Sequence, residues 1–85
     1  MVFEIVYDKQ PQRFLKNAEK HIAERIIDKI DWLLKENPVP HDAKTIVGHH
    51  GVFRIRIGDY RALYSVHYQE KKIIIIALDK RGKIF

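Results

Sequence analysis

The chain has 85 residues, enough for one domain with one hydrophobic core but not for two. Hydrophobic residues make up 46% of it and charged residues 32%, which excludes a disordered tail and a membrane-embedded protein. Sixteen Lys and Arg against eleven Asp and Glu leave a formal net charge of +5. This excess favours an anionic partner, either nucleic acid or an acidic protein, and the alternative is a merely basic, soluble surface.

The sequence lacks the features of disulfide-bonded, membrane-spanning and secreted proteins. It contains no cysteine, so disulfides and thiolate metal sites are ruled out. The longest apolar run, at 73–78, is far shorter than the ~18 residues of a membrane span, and the N-terminus has no signal-peptide pattern. We therefore expect a cytoplasmic protein without a membrane partner. The five histidines lack metal-site spacing, and we expect neither a metal nor another cofactor.

The N-terminal half is predicted to hold one strand and two helices. The segment 2–7, VFEIVY, is β-branched and aromatic with an alternating pattern, which predicts a strand. Pro11 suits the first turn of a short helix that ends near Asn17. A longer helix is predicted from about 19 to about 37, where Pro38 prevents its continuation. Its apolar positions recur at helical spacing; they are Ile22, Ala23, Ile26, Ile27, Ile30, Leu33 and Leu34.

Trp32 does not belong to the apolar stripe of the longer helix. At 100° per residue it lies opposite the centre of that stripe, among charged residues. Such a tryptophan is predicted to anchor a protein partner, because large aromatic side chains dominate interface energetics. The alternative is that its ring folds back over the segment 38–40 or covers a helix end.

The C-terminal half is predicted to be three strands, at 52–57, 60–67 and 72–78. The order β-α-α-β-β-β indicates an α+β fold. We expect a mainly antiparallel four-stranded sheet with both helices packed on one face. The whole chain, 1–85, is interpreted as a single domain.

The strands at 52–57 and 60–67 are predicted to form a hairpin. With Gly58-Asp59 as a two-residue turn, Arg56 lies opposite Arg61, and Arg54 lies on the same face. The other face of the hairpin is apolar and suited to cover the helices. Its residues are Phe53, Ile55, Ile57, Tyr60, Ala62, Tyr64 and Val66.

Three arginines on one sheet face need an explanation, because like charges opposite each other destabilise a sheet. A bound phosphate removes the repulsion, and arginine grips phosphate oxygens with two parallel hydrogen bonds. We therefore predict an anion site there. The alternative is a solvated face whose charges are neutralised by acidic neighbours. The candidates for that neutralisation are Asp59, Asp79 and Glu70.

The C-terminal segment DKRGKIF adds Lys80, Arg81 and Lys83 after the last predicted strand. If that strand lies beside 60–67, these cations come near Arg61. A basic sheet surface of this kind fits an RNA backbone, and we predict that Lys80 and Lys83 contact RNA.

Two segments together resemble the RelE/ParE superfamily of toxins from type II toxin–antitoxin systems. They are IVGHHGVFRIRIGDYRALYSV, at 46–66, and IIIIALDKRGKIF, at 73–85. The early strand and paired helices match in order and length, so the resemblance covers nearly the whole chain. The matching motifs are the glycine turn at 48–51, the basic strand at 53–57, Tyr60-Arg61, and Asp79-Lys80-Arg81.

Resemblance to the RelE branch implies a ribosome-dependent mRNA endoribonuclease that inhibits translation. The implied reaction is metal-independent attack of a 2′-hydroxyl on the adjacent phosphate, and the implied partners are the ribosome, mRNA and a RelB-like antitoxin. Arg61 then matches the residue that holds the scissile phosphate, and Arg81 the basic residue near the leaving oxygen. Arg54 and Arg56 replace basic residues that are often lysines, and Phe85 replaces a frequent tyrosine.

The two replacements limit the chemistry that these residues supply. Arginine stays protonated, so Arg54 and Arg56 stabilise charge but are poor general bases. Phe85 stacks on a base but transfers no proton. Two alternatives share the fold: a ParE-like toxin that inhibits DNA gyrase, and an RNA-binding module without activity.

Overall fold

The computed structural model describes residues 2–40, 43–46 and 48–80. The strands form one five-stranded sheet in the order β1-β5-β4-β3-β2. The fold is α+β, as predicted, but the sheet has one strand more than the four expected. The elements, in chain order, are β1 (Glu4–Tyr7), α1 (Lys9–Asn17), α2 (Lys20–Leu34), β2 (Lys44–Ile46), β3 (His49–Ile57), β4 (Tyr60–His67) and β5 (Lys72–Lys80).

The additional strand, β2, lies at one edge of the sheet, in a segment for which no strand was predicted. It runs antiparallel to β3, with Lys44 opposite Arg54 and Thr45 opposite Phe53. The register of the pairing shifts after Thr45, and Ile46 lies opposite His49. Three residues are too few for an alternating pattern to be recognised, because a period of two needs several repeats.

β5 lies between β1 and β4 and is the strand that joins the two halves of the chain. It pairs in parallel with β1, where Tyr7 is opposite Ile75, and antiparallel with β4. The β2–β3 and β3–β4 pairs are antiparallel too, so the sheet is mainly antiparallel, as predicted. Ile73 and Ile75 are fully buried. Ile74 and Ile76 between and after them are half-buried, so the apolar run of β5 places isoleucines on both faces of the strand.

Both helices differ from their predicted bounds at one end. α1 begins two residues before Pro11, because the Asp8 carboxylate accepts a hydrogen bond of 2.8 Å from the Lys9 N–H. An aspartate in this position caps a helix by satisfying a free N–H group. α2 ends at Leu34, short of the predicted Asn37, and its last backbone bond runs from the Lys35 N–H to the Asp31 carbonyl.

The core lies between the helices and one face of the sheet. α2 contributes Ile26, Ile30 and Leu34, all fully buried, in agreement with the predicted apolar stripe. The hydroxyl of buried Tyr64 donates a 2.8 Å hydrogen bond to the Pro38 carbonyl, which ties β4 to the segment after α2. Burial raises the pKa of Tyr64 well above its usual range, so this hydroxyl stays a donor.

The face of the sheet opposite the helices is called the open face below. Alternate residues of each strand point to it, including Arg54 and Arg56 of β3 and Arg61 of β4. Among the described residues, no helix is long and apolar enough to cross a membrane.

Candidate anion-binding site on the open face

The β3–β4 hairpin has the register that the sequence predicted. Ile57 pairs with Tyr60, and Arg56 pairs with Arg61. Gly58 has φ +59°, and Asp59 has a negative φ, the pattern of a type II′ turn. This turn matches the twist of the flanking strands and so fixes which side chains reach the open face.

Four cations line a single concavity of about 130 Å³ on the open face. Three are the predicted arginines of the hairpin, and the fourth is Lys44 of β2, whose partner in the sheet is Arg54. We name the group formed by Lys44, Arg54, Arg56 and Arg61 the basic cluster. Sequence reasoning missed Lys44 because the three-residue strand that carries it was not predicted.

The members of the basic cluster differ in their surroundings. Arg56 is exposed, and its Nε lies 3.5 Å from the Gly58 carbonyl oxygen, to which it donates a long hydrogen bond. Arg54 and Arg61 are half-buried and each takes part in a further interaction. Asp79 of β5 is the sheet partner of Arg61 on the side away from Arg56, and its carboxylate accepts a hydrogen bond of 2.7 Å from the Lys80 N–H.

The chemistry available to the basic cluster is the binding and stabilisation of negative charge. Guanidinium groups present several N–H donors in a planar fork that suits phosphate oxygens. An arginine does not deprotonate in a protein, so Arg54, Arg56 and Arg61 supply no general base. The arrangement therefore suits a phosphate on which charge develops during a reaction.

The remaining predicted RNA contacts lie elsewhere or beyond the described residues. Lys80 pairs with Tyr60, and both line a second concavity between α1 and the sheet, which also contains Phe14. The side chain of Phe14 meets the Tyr60 ring edge-on at 5.8 Å. Lys80 is therefore separate from the basic cluster. The predicted catalytic residue Arg81 and the predicted RNA contacts Lys83 and Phe85 lie outside the described residues.

Trp32 stands on the outer side of α2 with 77% of its surface exposed. Its ring does not fold back over the segment 38–40, so that alternative is wrong. The Lys29 Nζ lies 5.1 Å from the ring centre, a cation–π distance. The ring borders an open concavity of about 660 Å³ on α2, which we name the Trp32 surface. Its lining residues are His21, Glu24, Arg25, Asp28, Lys29 and Trp32.

A polar pair lies further along β4. Ser65 Oγ and His67 Nε2 are 3.0 Å apart and share the open face with Arg61. His67 is six residues from Arg61, about 20 Å along a strand, so it does not join the basic cluster. Within the described residues, no three His, Asp or Glu side chains are grouped as a metal site requires.

Comparison with known proteins places this architecture in a family. Residues 5–85 match the family described as the ParE toxin of type II toxin–antitoxin system, parDE. The curated protein RelE1 of Methanocaldococcus jannaschii is 31% identical over 84 residues, which cover 95% of this chain and 92% of that protein. Both matches extend over nearly the whole chain.

Solved structures show the same fold. RelE in the archaeal RelE–RelB complex from Pyrococcus horikoshii superposes with a TM-score of 0.79 at 32% identity, covering 98% of this chain and 99% of that one. A variant of the E. coli toxin RelE in the free state gives a TM-score of 0.81 at 19% identity, covering 99% and 88% of the two chains. At that lower identity, the likeness concerns the fold alone.

Proposed function

Since this chain belongs to the RelE/ParE superfamily of toxins from type II toxin–antitoxin systems, we propose that it is a single-domain endoribonuclease that cuts mRNA on the ribosome. The chain is a RelE-like toxin. The observation that carries the proposed activity is the convergence of Arg54, Arg56 and Arg61 on one small concavity. Arginines that face each other on neighbouring strands repel, and a scissile phosphate of RNA bound in the concavity offsets that repulsion.

The proposed reaction involves mRNA aligned on the ribosome, the side chains of this protein and solvent water. The 2′-oxygen of one nucleotide attacks the adjacent phosphorus, and the bond from phosphorus to the 5′-oxygen of the next nucleotide breaks. The products are a 2′,3′-cyclic phosphate and a 5′-hydroxyl; solvent water accepts the proton of the 2′-hydroxyl and delivers one to the leaving 5′-oxygen. No metal takes part.

Each proposed catalytic arginine acts by placing its positive charge next to an oxygen of the scissile phosphate. Arg61 holds the non-bridging oxygens of the phosphate, and Arg54 and Arg56 stabilise the negative charge that grows on them in the transition state. Arg81 is proposed to lie near the leaving 5′-oxygen. Because the arginines are poor bases, much of the acceleration has to come from alignment of the 2′-oxygen with the phosphate, which the ribosome imposes on its mRNA.

RNA contacts away from the scissile phosphate are proposed for Lys80, Lys83 and Phe85. The lysines neutralise backbone phosphates, and the ring of Phe85 stacks on a base. These three residues are proposed to add binding affinity rather than to stabilise the transition state.

The proposed partner that holds the toxin inactive is a RelB-like antitoxin. The relatives from Pyrococcus horikoshii and E. coli were crystallised in complexes of RelE with RelB. We propose that the antitoxin of this chain covers the Trp32 surface, where an exposed ring lies between acidic and basic side chains. An acidic segment of the same antitoxin suits the basic cluster by charge.

Inhibition of DNA gyrase is the second candidate function, because the family that matches this chain is described as the ParE toxin. A gyrase inhibitor acts through a protein surface and does not require cations converging on one phosphate. The basic cluster therefore favours RNA as the target, and a supercoiling assay with purified gyrase separates the two functions.

Primer extension on a translated message, after brief expression of the toxin, tests the proposal. We expect new 5′ ends within codons of the reading frame, and we expect them to disappear when translation initiation on that message is blocked. Loss of gyrase supercoiling without any mRNA cleavage would overturn the proposal in favour of the second candidate.

A further inference from the structure

Gln10 of α1 makes two hydrogen bonds to one backbone residue of β5. Its side-chain Nε2 donates to the Leu78 carbonyl at 2.8 Å, and its Oε1 accepts from the Leu78 N–H at 2.8 Å. Both bonds are partly buried. A carboxamide that satisfies the N–H and the carbonyl of the same residue reproduces the pair of bonds that a neighbouring strand would make.

The need for such a substitute follows from the topology. β1 ends at Tyr7, opposite Ile75, and its last backbone bond to β5 runs from the Asp8 N–H to the Ile75 carbonyl. Beyond that point β5 has β4 on one side and α1 on the other. An α-helix offers no free backbone groups along its side, so the outward N–H and carbonyl of Leu78 depend on a side chain.

This part of β5 is also where the register against β4 changes. Leu63 pairs with Ala77 and Tyr64 with Ile75, so one residue of β5, Ile76, is left without a partner and forms a bulge. The bulge shifts every later residue of β5 by one position. It is this shift that brings Asp79 opposite Arg61.

We propose that Gln10 is a positioning residue that fixes the end of β5 against the basic cluster. By clamping Leu78 two residues after the bulged Ile76, it holds Asp79 opposite Arg61 in the sheet. This inference rests on the proposed ribonuclease function. Gln10 touches no substrate; it acts by keeping Asp79 of β5 in register with the catalytic Arg61 of β4, so that the guanidinium group stays aligned with the scissile phosphate.

The chain supplies a matched control in Gln12, two residues further along α1. Its side-chain Nε2 donates a hydrogen bond of 2.6 Å to the Tyr7 carbonyl, before the bulge and away from Leu78. Gln10→Leu and Gln12→Leu therefore remove the same functional group from the same helix, but only Gln10→Leu frees the end of β5.

The experiment compares the two variants with the wild-type chain by amide hydrogen exchange and by single-turnover cleavage of ribosome-bound mRNA. For Gln10→Leu we expect exchange at the Leu78 amide to accelerate by at least about tenfold, without faster exchange at the core residues Ile30 and Ile55. We expect the maximal cleavage rate to fall roughly tenfold while the half-saturating ribosome concentration is unchanged, because the cations that bind RNA remain. Gln12→Leu is expected to change neither quantity.

Three results would overturn the inference. The first is unchanged exchange at Leu78 in Gln10→Leu, and the second is wild-type cleavage despite faster exchange there. The third is faster exchange throughout the core, which would make Gln10 a general stabiliser of the fold. A wild-type protein that cuts no message would instead overturn the proposed function, and Leu78 exchange would still report whether Gln10 holds β5.

Discussion

Replacement of Arg61 by alanine is the substitution that most directly probes the basic cluster. Arg61 is half-buried on the open face, with Arg56 opposite on one side and Asp79 on the other. Truncation removes an attraction to Asp79 and a repulsion from Arg56, which oppose each other. The change in the free energy of unfolding is therefore expected to stay within about 0.5 kcal/mol, as for most substitutions outside a core.

The effect on catalysis is expected to be much larger. A charge-assisted contact made to a phosphate in the transition state contributes about 2–4 kcal/mol to the activation free energy. Each 1.36 kcal/mol is a factor of ten in rate, so Arg61→Ala is expected to slow cleavage by roughly 30- to 900-fold. The rate is measured on translated mRNA in single-turnover conditions, and stability is measured by urea unfolding.

Arg13→Ala provides the control, because Arg13 is an exposed arginine on α1 and loses the same charge. Equal slowing by both variants would mean that net charge, and not the position of Arg61, drives the reaction. Cleavage by Arg61→Ala at the wild-type rate, with the fold intact, would refute the assignment of the basic cluster as the catalytic site.

Three further outcomes are expected. Trp32→Ala should weaken antitoxin binding, measured by calorimetry, far more than Lys35→Ala; equal effects would place the interface elsewhere. Lys44→Ala should slow cleavage by roughly three- to tenfold, less than loss of Arg61, because a lysine supplies a point charge and not a fork; an unchanged rate would contradict its place in the cluster. Tyr64→Phe removes the bond to Pro38 and should lower the free energy of unfolding by about 1 kcal/mol. That corresponds to a fall in the melting temperature of roughly 4–8 °C, followed by circular dichroism, and an unchanged melting temperature would contradict it.

The elements predicted correctly from the sequence are those whose signal is local. The register of the β3–β4 hairpin follows from a two-residue turn at Gly58 and from alternation on both strands, so pairing of Arg56 with Arg61 was predictable. The apolar stripe of α2 similarly identified the face that packs on the sheet. The start of α1 was predicted at Pro11, two residues too late, although aspartate before a helix is a capping signal.

The parts that were missed depend on contacts between distant residues. Lys44 joins the basic cluster only because a three-residue strand pairs with β3, and nothing near Lys44 specifies that pairing. Gln10 is one of several polar residues on a short helix, and its role appears only when Leu78 lies beside it. The bulge at Ile76 was not predicted either, because the pattern of an unbroken apolar run is the same before and after a change of register.

The position of β5 has a consequence for how the protein is made. β5 is the last of the described strands to be synthesised, yet it lies between β1 and β4. Gln10 and Leu78, which meet in the finished sheet, are 68 positions apart in the chain. Such long-range closure comes late in folding, and during synthesis it waits for the final strand to emerge. A translation product that stops before β5 lacks the strand that pairs with β1, and it lacks the core residues Ile73, Ile75 and Leu78. Premature termination therefore yields a fragment that cannot fold into an active toxin.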